Sequence, residues 1–152
     1  MKILAIETSC DETAAAVVSD GSEVLASIVS SQIDEHAEYG GVVPELAARE
    51  HLNNIDHVVH SALTKSGMSI IDVEGVAVTS SPGLVPALLV GVSYARGLAV
   101  AGALPIVGVN HFIGHLYSCF IREPKLLQDT KMYPLIALVS GWHGQSSSGQ
   151  WS

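Results

Sequence analysis

Lys2-Ile3-Leu4-Ala5-Ile6-Glu7-Thr8, then Thr13–Ser19, then Glu23–Ser31: three short β-rich runs fill the amino end of the chain. Runs of this length separated by turn residues read as strands, and Asp20-Gly21 marks a tight hairpin between the second and third. Strands joined so closely pair antiparallel. The pattern then changes. Tyr39-Gly40-Gly41 is a loop, and Pro44 opens a helix of roughly twenty residues with Leu46, Ala47, Ile55, Val58, Val59 and Leu63 on its apolar face, ended at Gly67. Val73–Thr79 reads as a buried strand, Ser80-Ser81-Pro82-Gly83 as a turn and Pro86–Ala101 as a small-residue helix. A strand at Pro105–Val109, a histidine-bearing helix and a strand at Pro134–Val139 complete the order. The order β-β-β-α-β-α-β-α-β predicts an α/β fold, a mixed sheet with helices on its faces.

The bulk numbers agree with that class. A chain of 152 residues can build one domain with a core, and 48% hydrophobic against 14% charged residues is apolar for such a size. Strands covered on both faces read this way, as does apolar surface meant for a second lobe. The net charge of −8, from 15 acidic and 7 basic residues, argues against a nucleic-acid footprint spread over the chain. It leaves room for a local basic site or a basic partner. Cys10 and Cys119 lie far apart behind no secretory signal, so they read as free thiols of a reducing compartment, and a cytoplasmic location is expected. Leu84–Val109 is interrupted by Pro86, Arg96 and Pro105 and reads as a buried helix and strand, not a membrane span.

Chemistry concentrates in four places. In Asn110-His111-Phe112-Ile113-Gly114-His115-Leu116 the histidines are four residues apart, so on a helix both imidazoles leave one face. By spacing alone the pair is either half of a divalent metal site or a coincidence of a polar face. It follows a run that reads as a short buried strand, and the carboxyl edge of an open α/β sheet is where ligands bind. Glu7-Thr8-Ser9-Cys10-Asp11-Glu12-Thr13 is either a turn that holds a phosphate, with Thr8 and Ser9 donating, or an ordinary polar hairpin. Ser80 to Pro86 either lets a ligand approach a helix amino end or is a tight turn, and it is no P-loop. His36 precedes the glycine-rich loop, and Glu45 suits the following helix dipole. His51, His57 and His60 in that helix are expected at the surface.

Taken together, these segments resemble the tRNA N6-adenosine threonylcarbamoyltransferases, bacterial TsaD, formerly called Gcp or O-sialoglycoprotein endopeptidase. The stretches that carry the resemblance are Ile6–Thr13, His36 with Tyr39–Ala47, Pro82-Gly83-Leu84, Leu88-Leu89-Val90-Gly91 and His111–Leu116. The resemblance covers residues 1 to about 141, in the family's order and spacing. It implies a ribonuclease-H-like lobe of the actin, sugar kinase and Hsp70 fold. It implies that His111 and His115 bind one divalent metal, Fe2+ or Zn2+, whose third protein ligand is an aspartate of a second lobe. The implied reaction moves a threonylcarbamoyl group from threonylcarbamoyl-AMP to N6 of the adenine beside the anticodon in tRNAs reading codons that begin with A. Asp11 or Glu12 is the candidate for acid–base or positioning work. Implied partners are tRNA, the non-catalytic paralogue TsaB and the small ATPase TsaE.

Residues 1–140 are therefore expected to form the amino-terminal lobe, with Leu138-Val139-Ser140-Gly141 beginning a loop that touches substrate. Trp142 stands where the family has a second glycine, while His143 remains. Residues 141–152 then read as a polar, serine-rich tail unlike the family, the mark of a truncated or frameshifted copy without its second lobe. Three other functions compete with the transferase. A scaffold paralogue of the same fold needs no histidine pair, and a same-fold ATPase or kinase does not account for it either. A metalloprotease would carry Glu where Phe112 stands.

Overall fold

A computed structural model describes residues 1–118 and 120–121. Lys2–Glu7 (β1), Glu12–Ser19 (β2) and Glu23–Ser31 (β3) form the antiparallel meander, with Leu4 opposite Val17 and Ala15 opposite Ile28. Then come a short helix Ile33–Ala37 (α1), a 22-residue helix Pro44–Lys65 (α2) and the strand Gly75–Ser81 (β4). The helix Val85–Gly102 (α3), the strand Ile106–Asn110 (β5) and the helix His111–Ser118 (α4) follow. The sheet order is β3-β2-β1-β4-β5, with β4 parallel to β1 and β5 parallel to β4. Three strands thus end at one edge. The mixed sheet with helices is as the sequence predicts, but β5, expected as a buried strand, is largely exposed, and α1 and the 3-10 turn Ile70–Asp72 are additions, each too short to show helical periodicity. The predicted strand at Pro134–Val139, Leu138 to Gly141, Cys119 and the 141–152 tail lie outside the described residues.

Alternation along the strands decides which face is closed. Leu4 and Ile6 of β1, Val17 of β2, and Val76 and Val78 of β4 are buried against Ile55, Val58, Val59 and Leu63 of α2 and Ala95 of α3. Burying one such aliphatic side chain is worth about 1.5–3 kcal/mol, so this stripe, rather than helix propensity, anchors α2. The buried positions 47, 51, 55, 58, 59 and 62 run along one side of α2. His51 is among them. It is fully buried, contrary to the surface position expected from sequence, while His57 and His60 are exposed as expected. The opposite sheet face, with Ala5, Ala14, Ala16, Ala77 and Val109, lines an open groove.

Helix α3 buries Ala87, Gly91, Ala95 and Ala99, a stripe of small residues four apart, and packs on α2 and β4. The fit is close: a Cβ at Gly91 would stand 2.3 Å from Thr8 Oγ1, so no larger residue lets the helix lie there. Val85, Leu89 and Val100 remain exposed on its other side. By length and composition α3 is the one helix among the described residues that could cross a bilayer.

Candidate metal centre

Strand β5 hands over to α4 without a loop, because Asn110 does the capping. Its Oδ1 accepts from the backbone N–H of Phe112 at 3.0 Å and of Ile113 at 3.3 Å, satisfying two of the helix's orphan donors. The helix therefore starts at His111, directly beside the ends of β1 and β4. His111 Nδ1 lies 3.2 Å from Glu7 Oε2 and 3.0 Å from Ser9 Oγ. Glu7 also receives the Thr79 hydroxyl at 2.6 Å on Oε2 and the backbone N–H of Ser9 on Oε1. Burial pushes the Glu7 carboxyl up, but hydrogen bonds from Thr79, Ser9 and His111 outweigh it and hold the group below the usual carboxylate range.

A carboxylate only accepts, so His111 Nδ1–H donates and Nε2 carries the lone pair. One helical turn on, His115 Nε2 lies 2.8 Å from His111 Nε2, the rings crossing at 86°. Two nitrogens so close share a proton. Both Nε2 atoms would turn their lone pairs to a divalent ion in exchange for that proton. A carboxylate behind the far nitrogen is the usual support of a ligating histidine, fixing ring and tautomer. The donor set fits part of a metal site: among the described residues no group of three or more His, Cys, Asp or Glu converges on one point.

The other candidates are distributed unevenly. Ser9 sits in this cluster, with its side chain toward His111 and its carbonyl taking the N–H of Leu84 at 2.8 Å. Thr8 is turned away. It is fully buried and donates to the Ala87 carbonyl at 2.9 Å, so its hydroxyl secures α3 instead of reaching a phosphate. Asp11 is half-buried and Glu12 exposed, on the turn that follows Ser9. The glycine of Pro82-Gly83-Leu84 serves a backbone contact: a Cβ at Gly83 would lie 2.6 Å from Ser9 O. Cys10 is a free thiol whose pKa is pushed up to about 11, first by burial and then by Asp11, which leaves no nucleophilic thiolate at neutral pH. Sequence reasoning missed Glu7 and Thr79 as the supports of His111. The available signal was a carboxylate closing an apolar strand whose parallel neighbours end at the same edge.

Fold and edge together define a class: an actin-like α/β lobe that presents a carboxylate-backed histidine pair where its parallel strands end. The same fold appears in the solved structure of YeaZ from Pseudomonas aeruginosa, at TM-score 0.60 and 18% identity over 82% of this chain and 51% of that one. The family model of tRNA N6-adenosine threonylcarbamoyltransferase, TsaD, matches residues 23–150, and the chain belongs to that family. Relatives bearing that name include one from Geobacter sp. (strain M21), 56% identical over 94% of this chain and 40% of its own length. Those from Trichlorobacter lovleyi and Caldicellulosiruptor bescii are 57% and 51% identical over 94% of this chain, and 40% and 41% of their own lengths. The chain thus spans about two fifths of the length of these relatives.

Proposed function

We propose that this chain forms the amino-terminal lobe of an enzyme that transfers a threonylcarbamoyl group from threonylcarbamoyl-AMP to N6 of the adenine beside the anticodon, in tRNAs reading codons that begin with A. The observation that carries the reading is the convergence of His111 Nε2 and His115 Nε2, with Glu7 behind, at the edge where the parallel strands end. In the transfer, the adenine N6 attacks the carbamoyl carbon, a C–N bond forms, the C–O bond to the phosphate breaks, and AMP leaves. N6 gives up one proton. Asp11 or Glu12, on the turn beside Ser9, is the group proposed to take it or to orient the amine.

His111 and His115 would hold one divalent ion, Fe2+ or Zn2+, with further ligands from outside the described residues. When bound, such an ion supplies a Lewis acid for an oxygen of the acyl-adenylate. Glu7, fixed by Thr79 and Ser9, keeps the His111 lone pair aimed outward, and this it does by itself. The proposed partners are tRNA, the paralogue TsaB and the ATPase TsaE, in the cytoplasm. With a net charge of −8, tRNA contact would rest on a local site or on those partners.

The test is transfer of threonylcarbamoyl to tRNA by the chain with TsaB and TsaE. The isolated lobe is expected to show little or no turnover, and fusion to the remaining three fifths of a relative is expected to restore it. Loss of turnover in the fused protein on His111→Ala supports the reading, and full activity in that variant overturns it.

A further inference from the structure

A second constellation lies inside the protein, and neither the metal edge nor the proposed transfer uses it. Gln32, His36, His51 and Thr13 come from three different elements and the residue before α1, and all are buried. Their hydrogen bonds form a chain with backbone at each end. At one end the Val43 N–H, at the end of the glycine-rich loop, reaches His36 Nδ1 at 3.4 Å. At the other, His51 Nε2 lies 3.1 Å from the carbonyl oxygen of Cys10. Between them, His36 Nε2 meets Gln32 Oε1 at 3.2 Å and Gln32 Nε2 meets His51 Nδ1 at 3.2 Å.

The two ends fix every proton. A backbone N–H only donates, so His36 Nδ1 accepts and its Nε2–H donates to the Gln32 oxygen. A carbonyl only accepts, so His51 Nε2–H donates and its Nδ1 accepts from the Gln32 amide and from the Thr13 hydroxyl at 2.8 Å. All donors point toward Cys10, and among the described residues no buried side-chain polar atom is left unsatisfied. Gln32 N also donates to the Asp11 carbonyl at 2.9 Å. The turn that carries Asp11 and Glu12 is thereby tied to the interior at two successive carbonyls.

We propose that His51 is a positioning residue: through Gln32 and His36 it locks the Cys10–Asp11 turn to the Tyr39–Val43 loop, so that the acidic pair and the glycine-rich loop hold one fixed arrangement at the edge of the site. The proposal rests on the transferase reading for its purpose, but not for its geometry. The arrangement works only with both imidazoles neutral. A proton added at His51 Nδ1 would face the Gln32 amide N–H and leave only the Thr13 oxygen to take it, and one at His36 Nδ1 would face the Val43 N–H. The groups facing His51 are the carboxylates of Glu7 and Asp11, His36 and the backbone carbonyl of Cys10. Burial outweighs those carboxylates and moves His51 below its ordinary value.

The experiment combines imidazole nitrogen NMR with amide hydrogen exchange on the whole 152-residue chain. His51 is expected as the Nε2–H tautomer, neutral at pH values where an exposed histidine is charged; an Nδ1–H tautomer overturns the proposal. In His51→Leu the amides of Asp11, Glu12 and Val43 are expected to exchange about tenfold faster or more, and in His51→Gln, whose amide can both donate and accept, to return toward wild type. Unchanged exchange at Val43 in a folded His51→Leu also overturns it. If the leucine variant fails to fold, the wild-type tautomer and the glutamine variant still decide. Transfer by the fused full-length protein separates the two readings. Loss in His51→Leu with rescue by His51→Gln supports the lock, whereas inactivity of the wild-type fusion removes the reaction and leaves the lock standing on exchange alone.

Discussion

Two pairs of histidines differ in one respect that decides their use. His36 and His51 are buried, and their ring nitrogens are matched to protein partners of fixed polarity. His111 and His115 lie on the surface side of the sheet edge, and their Nε2 atoms meet each other. A nitrogen held by a backbone carbonyl cannot leave it without orphaning that carbonyl. A nitrogen held by another imidazole would give up one shared proton to take a cation. Burial with fixed partners leaves the first pair to structure, and mutual contact backed by a carboxylate makes the second the pair proposed to hold a metal.

The comparison breaks most decisively on metal affinity. Titration with Zn2+ is expected to show weak binding that His111→Ala or His115→Ala abolishes and Glu7→Gln weakens by about tenfold or more, in line with losses when a ligand's support is removed. His51→Gln should leave it unchanged, and an equal loss there would erase the distinction. Stability is expected to rank the other way. His51→Leu leaves the buried Gln32 amide and Thr13 hydroxyl and the part-buried Cys10 carbonyl each short of a partner, and should cost about 2–4 kcal/mol in denaturant unfolding. His115→Ala, on the exposed side of α4, should stay within about 0.5 kcal/mol of wild type.

A smaller effect sharpens the contrast through pH. His51 has its folded pKa below the ordinary imidazole value of about 6.5, so the unfolded chain takes up a proton that the folded chain refuses. Its contribution is fully present above pH 6.5 and is lost as pH falls from there toward the lowered folded value. His51→Gln is therefore expected to unfold with a shallower dependence on pH over that window, and an identical slope would remove His51 from the account. Smallest is Tyr94→Phe, which deletes the 2.9 Å hydrogen bond to Asp56 between α3 and α2 at an exposed point. A loss of no more than about 1 kcal/mol is expected, because water replaces the lost partner at that exposed point.

Much of this was legible before any coordinates. Short β-rich runs parted by turn residues, and the sudden appearance of Pro44 and a 3.6-residue stripe, mark the meander and α2 within a residue or two. The histidine pair was visible from spacing, because one helical turn is a local property. His51 was misplaced although its position was available: it is four residues from both Ala47 and Ile55, on the buried side of α2, and only its polarity argued for the surface. Glu7 as the support of His111 was out of reach for a different reason. The two are 104 residues apart in sequence and meet only because β1, β4 and β5 run parallel to a common edge.

The one-way order of donors from Val43 to Cys10 has a consequence for charge movement. Proton hopping along a hydrogen-bonded wire requires each member to turn over after the proton has passed, and a peptide N–H at one end and a peptide carbonyl at the other cannot. The relay is therefore an insulator. It can transmit displacement between the glycine-rich loop and the acidic turn, but not a proton.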